Sequence, residues 1–72
     1  MSDVRSDTLG VEFSKAQARL RIILGRAQEI GPSGAFLVYR AEACLRRADV
    51  AVIEQDVPAM IRIYREMMEF EE

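Results

Sequence analysis

The chain has 72 residues, half of them apolar and 31% charged, with a net charge of −2, no histidine and a single cysteine. A chain of this length holds one domain at most and buries only roughly 60% of the surface that it exposes when unfolded. The composition excludes imidazole-based proton transfer, Cys/His metal ligation and an intrachain disulfide.

Secreted chains of this size usually need bridges or a metal, so a lone Cys44 points to a reducing, cytoplasmic setting. No apolar run approaches the roughly 20 residues of a membrane span, and the opening MSDVRSDTLG lacks the apolar centre of a signal peptide. The charge is unevenly placed. Residues 13–47 carry seven basic and two acidic side chains, whereas residues 48–72 carry two basic and seven acidic ones. Such complementary halves either steer an acidic partner to one end or attract each other within and between subunits.

Residues 1–12 are polar and contain Gly10, which predicts a flexible N-terminal arm ahead of a single helical domain over 13–72. Ser14 and Gln17 have capping-box spacing, with Phe13 as the staple residue, so the first helix is expected over about 13–30. Phe13, Ala16, Leu20, Ile23, Ala27 and Ile30 recur at alternating spacings of three and four, which makes a seam for a second helix. In the following GPSG, Gly31 suits a left-handed helix end, Pro32 stops continuation and Ser33 is a candidate cap. No Gly-Lys-Ser/Thr continuation follows, so this is a turn and not a phosphate loop. Its shortness predicts an antiparallel helical hairpin.

The second helix, over about 34–54, is apolar on two sides. Leu37, Val38, Ala41, Cys44, Leu45, Ala48, Ala51 and Val52 form the hairpin face, where small residues permit close approach. Roughly opposite runs a stripe of Phe36, Tyr39, Ala43 and Val50, bracketed by Arg46 and Arg47. A helix that is apolar on both sides requires cover on both sides.

A third helix over about 57–70 is expected to supply that cover. Asp56 is a good N-cap, and Pro58 is tolerated only in a first turn. The helix carries Val57, Met60, Ile61, Ile63, Tyr64, Met67, Met68 and Phe70 over half its circumference, more than one surface stripe needs. Met60, Ile61, Tyr64 and Met68 are expected to cover the hairpin, and Ile63, Met67 and Phe70 to extend toward a second chain.

No catalytic, cofactor-binding or metal-binding constellation emerges. Cys44 falls among core positions with no histidine to activate it, so it reads as packing. The sequence therefore predicts an all-α unit, a hairpin plus a third packed helix, that forms a homodimer and binds another protein. Small cytoplasmic proteins of this profile serve as adaptors, co-chaperones or inhibitors, including ones encoded by phages and mobile elements. Phe36, Tyr39, Val50, Ile63, Met67 and Phe70 are the candidate dimer interface. Lys15, Arg19, Ile22 and Arg26 form one candidate partner-binding patch, with Arg46 and Arg47 as another, both suited to an acidic protein surface. The alternative is a small dimeric nucleic-acid-binding or regulatory protein. The acidic pI of about 5.1 and a third helix poor in base-reading side chains speak against it.

Overall fold

The computed structural model of the chain describes residues 4–71, with side chains from Thr8 to Glu71. Helix α1 spans Val4–Ile30, a short 3-10 turn spans Pro32–Gly34, α2 spans Ala35–Glu54 and α3 spans Val57–Glu69. The described residues contain no strand, so the protein is all-helical.

Helix α1 begins earlier than the expected start near residue 13. The segment read as an arm over 1–12 is helical from Val4 onward, and its first three positions lie outside the described residues. Gly10 does not interrupt it: the residue is exposed with open space about its α-carbon, and costs only roughly 1 kcal/mol relative to alanine. Ser14 therefore lies within the helix and caps nothing. Gln17 serves a different purpose, donating from Nε2 to Asp49 Oδ1 of α2 at 3.4 Å. The expected seam is buried from Phe13 through Ala27, while Ile30 is exposed where the chain turns away.

The turn uses its two glycines differently. Gly31 adopts φ 88° and ψ −143°, a region open in practice only to glycine. Its carbonyl then accepts from Gly34 N at 2.9 Å, closing the 3-10 turn. Gly34 is buried, and a β-carbon there would run into the carbonyl oxygen of Ala27. Ser33 makes no cap: α2 starts at Ala35 after Gly34, with no side-chain hydrogen bond at its N-terminus.

Ala41, Cys44, Leu45, Ala48 and Ala51 bury the inner face of α2, and the small side chains let α1 and α2 pack closely. Val52, expected on that face, is exposed. The helix ends with Gln55 in the left-handed conformation (φ 56°). Gln55 N donates to Val52 O at 3.1 Å and Asp56 N to Ala51 O at 3.0 Å, the bond pattern that usually places glycine at this position. Asp56 caps α3 as expected, its carboxylate accepting from Ala59 N at 3.2 Å, and Pro58 lies in the first turn.

Gln17 of α1 meets Asp49 of α2, and Arg47 of α2 meets Glu66 of α3. Helix α3 packs against both of the others. Its Ile63, Met67 and Phe70 close the core against Phe13, Leu20 and Ile23 of α1 and the small residues of α2. The molecule measures 49 × 18 × 16 Å, its long dimension set by the 27-residue α1, which is itself about 40 Å long.

One substitution chemistry has opposite expected effects at two sites. Gly34→Ala forces two backbone segments apart and should cost about 2–3 kcal/mol in urea unfolding. Gly10→Ala adds a methyl to an open helix surface and should stabilise by up to about 1 kcal/mol. Equal effects would show that the close approach of Gly34 to Ala27 is unimportant.

Candidate partner-binding surfaces

The basic face of α1 is split by the tertiary structure. Lys15 is exposed and forms a loose ion pair with Glu12 one turn earlier, at 3.6 Å. Ile22 and Arg26 are also exposed. Arg19 turns inward. Its guanidinium donates from Nη1 to Met67 O at 3.1 Å and from Nη2 to Phe70 O at 2.6 Å. Those carbonyls lie at the end of α3, where the helix dipole gathers negative charge, and Met67 O also accepts from Phe70 N at 3.3 Å. Arg19 is thus a clamp between α1 and α3, a correction to its placement in a partner-binding patch. Its acceptors are backbone atoms far along the chain, and nothing in the local pattern distinguishes it from Arg26.

The second basic pair divides in the same way. Arg47 forms a two-pronged bridge to Glu66, with Nη1 to Oε1 at 2.8 Å and Nη2 to Oε2 at 2.6 Å. The Glu66 carboxyl is held below the usual carboxylate range by this bond, and the Arg47 guanidinium is pushed up by it. Both side chains keep about half their surface in water, 53% and 43%, so the pair contributes about 0.2–1 kcal/mol. Arg47 is accordingly engaged within the chain. Arg46 is exposed and makes no hydrogen bond or ion pair with any other described residue.

Two hollows lie between α2 and α3, and Arg47 borders both. The larger, about 330 Å³, has Val50, Ala51 and Ile63 as apolar lining with Arg46 and Arg62 beside them. The smaller, about 190 Å³, lies toward Tyr39, Arg40 and Phe70. Arg40 stands over the Phe70 ring at 4.9 Å and the Phe36 ring at 5.9 Å, close enough for cation–π attraction.

The residues expected at a dimer interface fall into two groups. Phe36, Tyr39 and Val50 are exposed at 73%, 67% and 50%, on the side of α2 away from the core. Helix α3 leaves this stripe uncovered. Ile63, Met67 and Phe70 are instead buried within the chain's own core, Met67 completely, so they are removed from the candidate interface. The expected rotation of α3 is reversed. Met60 and Tyr64 only flank the core, while Ile61 and Met68 are exposed together with Val57. An apolar arc wider than half a turn does not by itself say which part faces inward. Ile53, 79% exposed, is a surface residue that the stripe of Phe36, Tyr39 and Val50 did not include. Continuing that stripe by three residues from Val50 would have found it.

Cys44 is buried. Burial is the main influence raising its thiol above the ordinary range, Glu66 adds to it, and Arg47 and Arg40 act against it. Among the described residues no group of three or more His, Cys, Asp or Glu is placed to hold a metal. No helix among them is long and apolar enough to cross a membrane. Comparisons with protein-family models, curated proteins and solved structures find no match to the chain.

Two measurements check these assignments. Arg19→Ala should destabilise the protein by about 2 kcal/mol, since two carbonyls lose a charged donor. Arg19→Lys should recover less than half of that, for want of the fork. A wild-type denaturation midpoint in both variants would remove the clamp. The Arg47–Glu66 bond contributes stability above the ordinary carboxylate range and loses it as pH falls through the lowered Glu66 value. Glu66→Gln should therefore cost up to about 1 kcal/mol at pH 7 and almost nothing near pH 2. A pH-independent difference would contradict the assignment.

Proposed function

We propose that the chain is a non-catalytic protein-interaction protein, an adaptor, co-chaperone or inhibitor of a larger partner. In this reading the antiparallel hairpin with its third helix works as a homodimer, which docks on an acidic surface of that partner. One observation carries it. The chain's core is complete, yet the outer side of α2 presents Phe36, Tyr39 and Val50 to solvent in one stripe. Contiguous apolar surface of this kind marks protein association in preference to solvation. The exposed Lys15, Ile22 and Arg26 on α1 supply a separate basic surface with an apolar centre, suited to carboxylates on another protein.

The test uses the immobilised full chain, wild type beside a Lys15→Glu, Arg26→Glu double variant, against lysate of the native cell with mass-spectrometric identification. Wild type should retain a specific protein with an acidic surface, and the double variant should lose it at least tenfold while keeping the wild-type helical spectrum. Equal retention would remove the α1 patch from the proposal. Tight binding of random duplex or single-stranded nucleic acid, collapsing between low and moderate salt, would favour a nucleic-acid-binding protein instead.

A further inference from the structure

On α2, the exposed side does not stop at the stripe of Phe36, Tyr39, Ala43 and Val50. Including Arg46 and Ile53 gives Phe36, Tyr39, Ala43, Arg46, Val50 and Ile53, six positions at unbroken alternating spacings of three and four. That is the spacing of a coiled-coil seam, and all six are exposed or half-exposed. Among the described residues α1 and α3 pack on the opposite side through Ala41, Cys44, Leu45, Ala48 and Ala51, and α3 approaches the seam only across the open hollows that Tyr39, Ala43, Arg46 and Val50 border.

We propose that two copies of the chain pair through this seam, antiparallel and two-fold symmetric about the level of Cys44 and Leu45. Phe36 then lies opposite Ile53 of the partner subunit, Tyr39 opposite the partner's Val50 and Ala43 opposite the partner's Arg46. This rests on the reading that the chain associates with itself, and adds the occupant, the orientation and the register.

Three features of the seam select this arrangement. First, it is self-complementary, because reversing the six positions returns three pairings that repeat by symmetry. The two most exposed large apolar side chains of the whole described chain, Ile53 at 79% and Phe36 at 73%, cover each other. Second, Arg46 is accommodated. In the antiparallel pair it crosses over Ala43 of the partner subunit, whose methyl leaves room, and comes beside the partner's Glu42. Arg46 and Glu42 are both exposed, and neither makes a polar contact within the described chain. Two symmetric ion pairs therefore become available at the rim of the contact. Third, the area is adequate. Phe36, Tyr39, Val50 and Ile53 together expose on the order of 500 Å². The stems of the flanking arginines bring this near the roughly 800 Å² per partner of a standard interface.

The experiment combines sedimentation of the full chain with a spin–spin distance. Wild type should be dimeric at about 100 µM, and Tyr39→Asp with Val50→Asp should raise the dissociation constant at least 100-fold with helicity unchanged. Arg46→Glu should weaken the dimer about tenfold, and adding Glu42→Arg should restore it. A nitroxide introduced by Glu54→Cys in a Cys44→Ala background should report about 28 Å between copies in the antiparallel register, against about 10 Å in a parallel one. A monomeric wild type would overturn both the self-association reading and the seam. A dimer with the short distance, or one indifferent to Tyr39→Asp and Val50→Asp, would overturn the seam alone. A dimer that Glu42→Arg does not rescue would overturn the ion pair.

Discussion

Arg19 donates to the carbonyl oxygens of Met67 and Phe70 and through them holds α3 in one rotational setting against α1. In that setting Ile63, Met67 and Phe70 point into the core, and Val57, Ile61 and Met68 point out. Burying three large side chains supplies most of the free energy, about 1.5–3 kcal/mol each. The guanidinium adds a directional tie, two charge-assisted hydrogen bonds to the end of α3. With α3 committed to the side of α2 that carries Arg47, the far side of α2 has no cover among the described residues.

The opposite charges of the two halves of the chain are partly consumed inside the fold. Arg47 of the basic segment pairs with Glu66 of the acidic one, and Arg19 donates to the backbone carbonyls at the end of α3. Electrostatic attraction thereby helps to dock α3 across a distance in sequence that local propensity cannot span. Lys15 and Arg46 are not used in this docking and stay at the surface.

The uncovered seam on α2 also bears on stability. A unit this small buries a modest fraction of its surface, and its native state gains from any association that hides more. Small side chains on the inner face of α2 bring α1 close but contribute little apolar area. Its large residues Phe36, Tyr39 and Ile53 lie outside, where they stabilise nothing until another surface meets them. Core packing and uncovered apolar surface are thereby placed on opposite faces of one helix.

Local chemistry in the sequence determined the three helices, the breaks at Gly31–Pro32 and at Asp56–Pro58, the seam from Phe13 to Ala27 and the small-residue face of α2. Each depends on residues within a turn or two of one another, so periodicity and capping suffice. The exposed stripe of Phe36, Tyr39 and Val50 was legible for the same reason. Tertiary structure alone decided the rotation of α3, because its apolar arc is wide enough to admit more than one inward face. It also decided the fate of the arginines. Arg19 and Arg26 carry the same side chain on the same face of α1, and the end of α3 comes to rest beside Arg19, at a separation along the chain that no local pattern encodes.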